Sequence, residues 1–162
     1  MTMDWFDNDV TRSMAGTAEA FAKKELTDFA SAVRDGKPAE GLWEKSLRNS
    51  GQLGLWLGPL PAEFGGTSMD ALSCAMVVSK LSSGCAGFAA MIAVHYSALA
   101  CLEHLLPEKS IKDVLKALAG AGSGNKPAIL SLAYAEEITG LDRPASGAAN
   151  SFPQGDFLAM IG

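Results

Sequence analysis

The sequence predicts a mainly α protein: an up-and-down helical bundle of about five helices, followed by the first strand or strands of an incomplete β-domain. Three observations predict it. Apolar residues recur in steps of three and four through most of the chain from Val10 to Leu118, which is the helical period. Alanine and leucine are abundant, and both favour helices. After a glycine-rich stretch at residues 120–124 the period is lost, and a short apolar run takes over. At 162 residues, 48% hydrophobic and 19% charged, the chain is long enough for one real core and too apolar to stay disordered.

The first helix is predicted over residues 9–34. Met14, Ala18, Ala22, Leu26, Phe29 and Val33 line one face of it, widened by Val10 and Phe21. Glu19, Lys23, Lys24 and Asp28 fall outside that face. Asp7 or Asp9 can cap the start, and Asp35-Gly36-Lys37-Pro38 ends the helix with a left-handed glycine and a proline. A shorter helix over residues 39–49 sets Trp43 and Leu47 together toward the core, and Gly51 ends it. Residues 53–60 are apolar but broken by Gly54, Gly58 and Pro59, so they form a buried connection. A third helix begins at Ser68 or Asp70 and runs to Ser82, with Leu72, Ala75, Met76, Ser79 and Leu81 along it.

The fourth helix, residues 86–105, is the most apolar, with Leu99 and Leu102 on one stripe. Residues 84–102 carry no formal charge when His95 is neutral, and nearly reach the length of a bilayer span. Their small residues, with His95, Tyr96 and Ser97 near the centre, predict instead a helix buried inside a bundle. Pro107 opens the fifth helix, where its missing amide costs nothing, and Glu108 suits the positive end of the helix dipole. Ile111, Val114, Leu115 and Leu118 give this helix its apolar face. Residues 128–133 are predicted as a strand and residues 157–161 as the beginning of another, separated by an aperiodic stretch at 142–150. One or two strands do not make a stable sheet. The expected organisation is a helical domain over residues 1–126 and the beginning of a β-domain over 127–162, with the sequence stopping partway through it.

Charge and cysteine usage narrow the function. Thirteen basic and eighteen acidic residues give a net charge of −5 with no long basic run, which argues against nucleic acid as a partner. Cys74, Cys85 and Cys101 are an odd number without a CxxC pair, so they predict buried thiols in a reducing compartment, not a disulfide frame or a zinc site. The N-terminus lacks a basic stretch before an apolar one, so no signal peptide is expected and the protein is placed in the cytoplasm. The cluster from Gly120 to Gly124 is no dinucleotide fingerprint, because it follows a helix and precedes a strand. Asn125 separates Gly124 from Lys126, and Pro127 follows, which also excludes a phosphate loop. His95 and His104 are spaced so that they do not share a helix face, so no joint metal site is expected. Glu136 and Glu137 are adjacent and in an extended chain would point to opposite faces. The residues alone therefore give a soluble helical domain feeding a β-domain.

Leu47-Arg48-Asn49-Ser50-Gly51-Gln52-Leu53-Gly54-Leu55-Trp56, followed by Pro61-Ala62-Glu63-Phe64-Gly65-Gly66, resembles the pattern L-x-x-x-G-x-L-G-L … P-x-E-x-G-G of the acyl-CoA dehydrogenase family. The later helices are similar in order, as is a strand leading toward a T-E-P-x-A-G-S-D segment. The resemblance implies an N-terminal helical domain, a middle β-domain and a C-terminal helical domain, with FAD between the last two. It implies oxidation of an acyl-CoA thioester to the 2,3-enoyl-CoA, with electrons passed to an electron-transfer flavoprotein. A carboxylate takes the α-proton and the flavin accepts the β-hydride. In the family that base lies on the C-terminal domain, so no catalytic residue is assigned here, and no metal is expected.

The resemblance carries over residue by residue at the strand. Tyr134, Ala135, Glu136 and Glu137 fall where the family has a small or branched residue, Thr, Glu and Pro. Gly140, Leu141 and Asp142 fall where it has Gly, Ser and Asp. Ala135 and Leu141 thus replace two hydroxyl-bearing residues that bond the flavin, and Glu137 replaces a stiffening proline. Backbone groups can still hold a flavin, so Ala133, Tyr134, Ala135 and Leu141 are the candidate cofactor contacts. The family's acyl cavity is shaped partly by the region matching residues 72–99, where Phe88, Met91, Ile92 and Tyr96 are possible liners. The implied assembly is a homo- or hetero-oligomer, without catalysis by this chain alone. The alternative is a non-catalytic helical interaction module, or truncated paralogue, that packs on a full-length partner.

Overall fold

The computed structural model describes residues 9–122 and 127–131. The first rod begins as α1 (Asp9–Phe21), passes through a π-helical turn (Ala22–Leu26) and continues without a break as α2 (Thr27–Arg34). Then come α3 (Glu40–Gln52), a 3₁₀ turn (Ala62–Phe64), α4 (Ala71–Ser82), α5 (Ala86–Leu105) and α6 (Glu108–Gly122). Counting the first rod once, these are the five expected helices, but α3 runs three residues past the expected end and through Gly51, and α6 continues through Gly120 to Gly122, so neither glycine ends its helix. No strand occurs among the described residues. Ala128 to Ser131 have no regular secondary structure, and Leu132, Ala133 and the second predicted strand lie outside the described residues.

The helix ends follow from local chemistry. Gly36, at φ 65°, takes the left-handed position after α2, and the amide of Lys37 reaches back to the carbonyl of Ala32 at 2.9 Å. This closes the rod as the glycine predicted. Asp70 caps α4: its Oδ1 accepts from the Ser73 amide at 2.7 Å and from the Ser73 hydroxyl at 2.6 Å. With its proton committed to Asp70, Ser73 Oγ accepts from Thr11 Oγ1 at 2.6 Å, which ties the start of α1 to the start of α4. Thr11 and Ser73 are both buried, so this chain satisfies two interior hydroxyls.

The π turn was not legible as such. The Ala22 carbonyl accepts the Thr27 amide, five residues on, and the Thr27 hydroxyl at 3.2 Å. Gly84, on the turn between α4 and α5, packs against that same carbonyl: a Cβ there would sit 2.7 Å from the oxygen and 2.9 Å from Leu26 Cβ. The wider turn also shifts the phase of the rod. The stripe Met14, Ala18, Ala22, Leu26 is buried, but Val33, predicted to continue it, is 55% exposed.

α4 packs between α1 and α5, and the core forms where they meet. Phe88 is its hub, with ring centroids of Phe21, Trp43 and Trp56 at 5.7, 5.8 and 6.1 Å. α5 is not buried all round: Phe88, Ile92, His95, Tyr96, Leu99 and Leu102 face inward, while Gly87, Ala90, Val94 and Ser97 are exposed. Among the described residues no helix is long and apolar enough to cross a membrane.

Candidate functional site

The connection between α3 and α4 builds one wall of the site, and its glycines explain its path. Gly54 and Gly65 stand at φ 71° and 80°, where side chains with a Cβ are strained. A Cβ on Gly66 would lie 1.9 Å from the Leu60 carbonyl oxygen and 2.4 Å from that of Leu57, so only glycine fits. Leu55, Trp56 and Leu60 are buried, as expected of this apolar connection. Trp56 donates its indole N–H to Ser50 Oγ at 2.8 Å, and Ser50 donates to the Leu47 carbonyl at 2.9 Å.

Between this connection, α4, α5 and α6 lies an open groove of about 440 Å³. Pro59, Leu60 and Met69 come from the connection. Cys74, Ala75 and Val78 come from α4, Tyr96, Ser97 and Leu99 from α5, and Leu115 from α6. None of its described lining residues carries a charge.

Its polar groups are already occupied. The Tyr96 hydroxyl donates to the Leu55 carbonyl, and Ser97 donates to the Ala93 carbonyl of its own helix at 2.9 Å. The Cys74 thiol makes a long contact, 4.0 Å, with the Met69 carbonyl. Burial, with the nearby Asp70 charge, pushes the Cys74 thiol up to about 11, and burial drives the Tyr96 phenol upward too. Both stay neutral at pH 7. The groove therefore offers an incoming molecule apolar contact and shape, with no spare donor or acid among the described lining groups.

Tyr96 is the one of the four proposed cavity liners that faces this groove. Phe88 and Ile92 are fully buried in the core, and Met91 packs partly buried against it. The sequence missed Leu115 of α6 and the Pro59, Leu60 and Met69 edge. Their apolar character was visible, but nothing local told a groove edge from a core contact. Ala133, Tyr134, Ala135 and Leu141 lie outside the described residues, as do Glu136 and Glu137. Among the described residues, no group of three or more histidine, cysteine, aspartate or glutamate side chains could hold a metal ion.

A family model, acyl-CoA dehydrogenase N-terminal domain, matches residues 8–121, well over half the chain. The chain belongs to the acyl-CoA dehydrogenase family, and the matched region is its N-terminal helical domain. No curated protein and no solved structure matched in the searches made.

Proposed function

We propose that this chain is the N-terminal helical part of a flavin-dependent acyl-CoA dehydrogenase, lays an apolar wall along the acyl chain of a thioester substrate, and does not catalyse alone. The observation that carries the reading is the groove between α4, α5 and α6, whose described polar groups are bonded within the protein and whose described lining residues are uncharged. Such a surface gains free energy from a hydrocarbon chain and none from a charged ligand. Its described lining holds no carboxylate to take an α-proton, and on this reading that group comes from elsewhere in a complete enzyme.

On this reading residues 1–126 are the helical domain and 127–162 begin the middle β-domain. Bound FAD supplies the two-electron acceptor. Ala133, Tyr134, Ala135 and Leu141 contact it mainly through the backbone, and an electron-transfer flavoprotein reoxidises it within an oligomeric, cytoplasmic assembly. The free state of Cys74, Cys85 and Cys101 fits a reducing compartment. Flavin titration by fluorescence, then turnover of an acyl-CoA series with an artificial acceptor, tests the reading. The expected result is weak or no FAD binding and no turnover by this chain alone. Stoichiometric FAD with turnover contradicts it.

A second reading, a non-catalytic module packing on a full-length partner, is favoured by the outer side of α5, where Val94 is 44% exposed beside Gly87 and Ala90. Yellow flavin absorbance on co-purification with a full-length partner, and its effect on turnover, separates the two.

A further inference from the structure

His95 is a buried histidine on α5, and nothing in the proposed function uses it. It is 1% exposed, on the inward side of α5. Its ring meets Trp56 edge-on at 5.2 Å and lies 6.2 Å from Tyr96. Both ring nitrogens are engaged by backbone groups of opposite polarity. The Leu130 amide donates to Nδ1 at 3.0 Å, which makes Nδ1 an acceptor without a proton. The single proton of the neutral ring therefore sits on Nε2, which donates to the Trp56 carbonyl at 2.9 Å. The imidazole is thus a bridge between the connection after α3 and residues 127–130, whose Pro127 packs on Gly51 with its Cδ 3.6 Å from where a Cβ would stand.

We propose that His95 is a proton-sensitive latch: neutral, it pins residues 127–130 to the helical unit, and protonation at Nδ1 releases them while the helices stay folded. A proton on Nδ1 would confront the Leu130 N–H donor to donor, leaving a half-buried amide without that acceptor and a buried cation beside it. The Trp56 side of the bridge is unaffected, because Nε2 donates in both states. The cost of protonation thus falls on the contact with residues 127–130.

Among the described residues no neighbouring charge offsets this. On α5 itself the titratable ring neighbour is Tyr96, whose proton is committed to Leu55. α4 brings Cys74, a neutral thiol, and Lys80, which pairs with Glu19 at 2.9 Å. The connection brings Glu63, which is exposed, and Asp70, which is committed to Ser73. α6 brings Lys112, Asp113 and Lys116, all exposed, and residues 127–130 bring no titratable side chain.

Burial holds the imidazole below its ordinary 6.5, only partly opposed by the bond to Trp56. A base whose native value is depressed takes up a proton on release. The latch is therefore closed above pH 6.5 and weakens as pH falls from there toward the native value. Over that window its opening constant rises as pH falls, by at most about tenfold per pH unit. Leu130 precedes Ala133, the first candidate cofactor contact, so the latch fixes the chain just ahead of that segment.

The test is amide exchange and ring ¹⁵N NMR on the ¹⁵N-labelled 162-residue chain from pH 8 to pH 4.5. The expected result is a ring protonated at Nε2 alone at pH 7.5. Protection of the Leu130 amide should fall below pH 6.5, by up to about tenfold per unit, while the inward amides of α5 hold theirs. His95→Gln keeps an acceptor and a donor without a titrating group, so it should keep Leu130 protected and remove the pH dependence. An Nδ1-protonated ring at pH 7.5, protection at Leu130 falling in step with α5, or the same pH profile in His95→Gln would each overturn the proposal. The ring measurement on the unsubstituted chain decides the matter even if the variant does not fold.

Discussion

The sharpest constraints in this domain sit on single residues. Gly66 has carbonyl oxygens where any Cβ would go. Gly66→Ala should lower stability by about 1–3 kcal/mol or more in urea unfolding, the scale of forced overpacking. A change within 0.3 kcal/mol would mean the connection is looser than its geometry implies. Asp70 gives a pH signature. Its bonds to the Ser73 hydroxyl and amide hold its carboxyl below the ordinary 3.8. Its contribution is therefore present above pH 3.8 and lost as pH falls through the native value. Asp70→Asn keeps an N-cap but removes the ionisation, so its stability should depend less steeply on pH between 5 and 2 than that of the unsubstituted protein. Parallel acid-unfolding profiles would show that the cap charge contributes nothing. The motif glycines were legible in the sequence as a pattern. Their reason, a steep turn in which backbone touches backbone, was not, because a carbonyl from residue 60 facing residue 66 has no signature in the residue types.

At the scale of elements, helices were legible because their apolar periods, caps and breakers agree. α4 starts after Asp70, α2 closes at Gly36, and α6 follows Pro107 as their chemistry requires. The π turn was hidden, since Ala-Lys-Lys-Glu-Leu fits an ordinary helix. It is the Gly84 turn packing on the Ala22 carbonyl, 62 positions away in sequence, that uses the wider turn. This sets up a paired comparison. Gly84→Ala drives a Cβ against the Ala22 carbonyl and should destabilise. Gly16→Ala, on the exposed side of α1 with nothing within 4 Å, should stabilise by about 0.5–1 kcal/mol through helix propensity alone. Thermal melts of the two variants check it, and equal shifts of the same sign would contradict the packing. Phe88, one of the possible cavity liners, holds three aromatic rings together in the core. Phe88→Ala should cost about 3–5 kcal/mol, measured by chemical denaturation. A much smaller loss would return Phe88 to the cavity wall.

For the whole molecule, the claim is that five helical rods enclose an aromatic core on one side of α4 and α5 and offer an apolar groove on another. Which apolar residues went to which could not be read from a period, because Tyr96 and Ile92 share one inward-facing helix side and differ only in what the neighbouring elements bring to them. The family assignment gives the groove its meaning, and the groove gives the assignment a measurable consequence. The decisive measurement is calorimetric titration of the chain with free CoA and with acyl-CoAs of increasing chain length, repeated with Ala75→Trp, which fills the groove from the exposed side of α4. The account predicts that affinity rises with each methylene, by roughly fourfold at about 0.8 kcal/mol per buried group, until the groove is full. It further predicts that Ala75→Trp flattens the rise while leaving free CoA unchanged. Affinity independent of chain length, or a chain-length series untouched by Ala75→Trp, would contradict it.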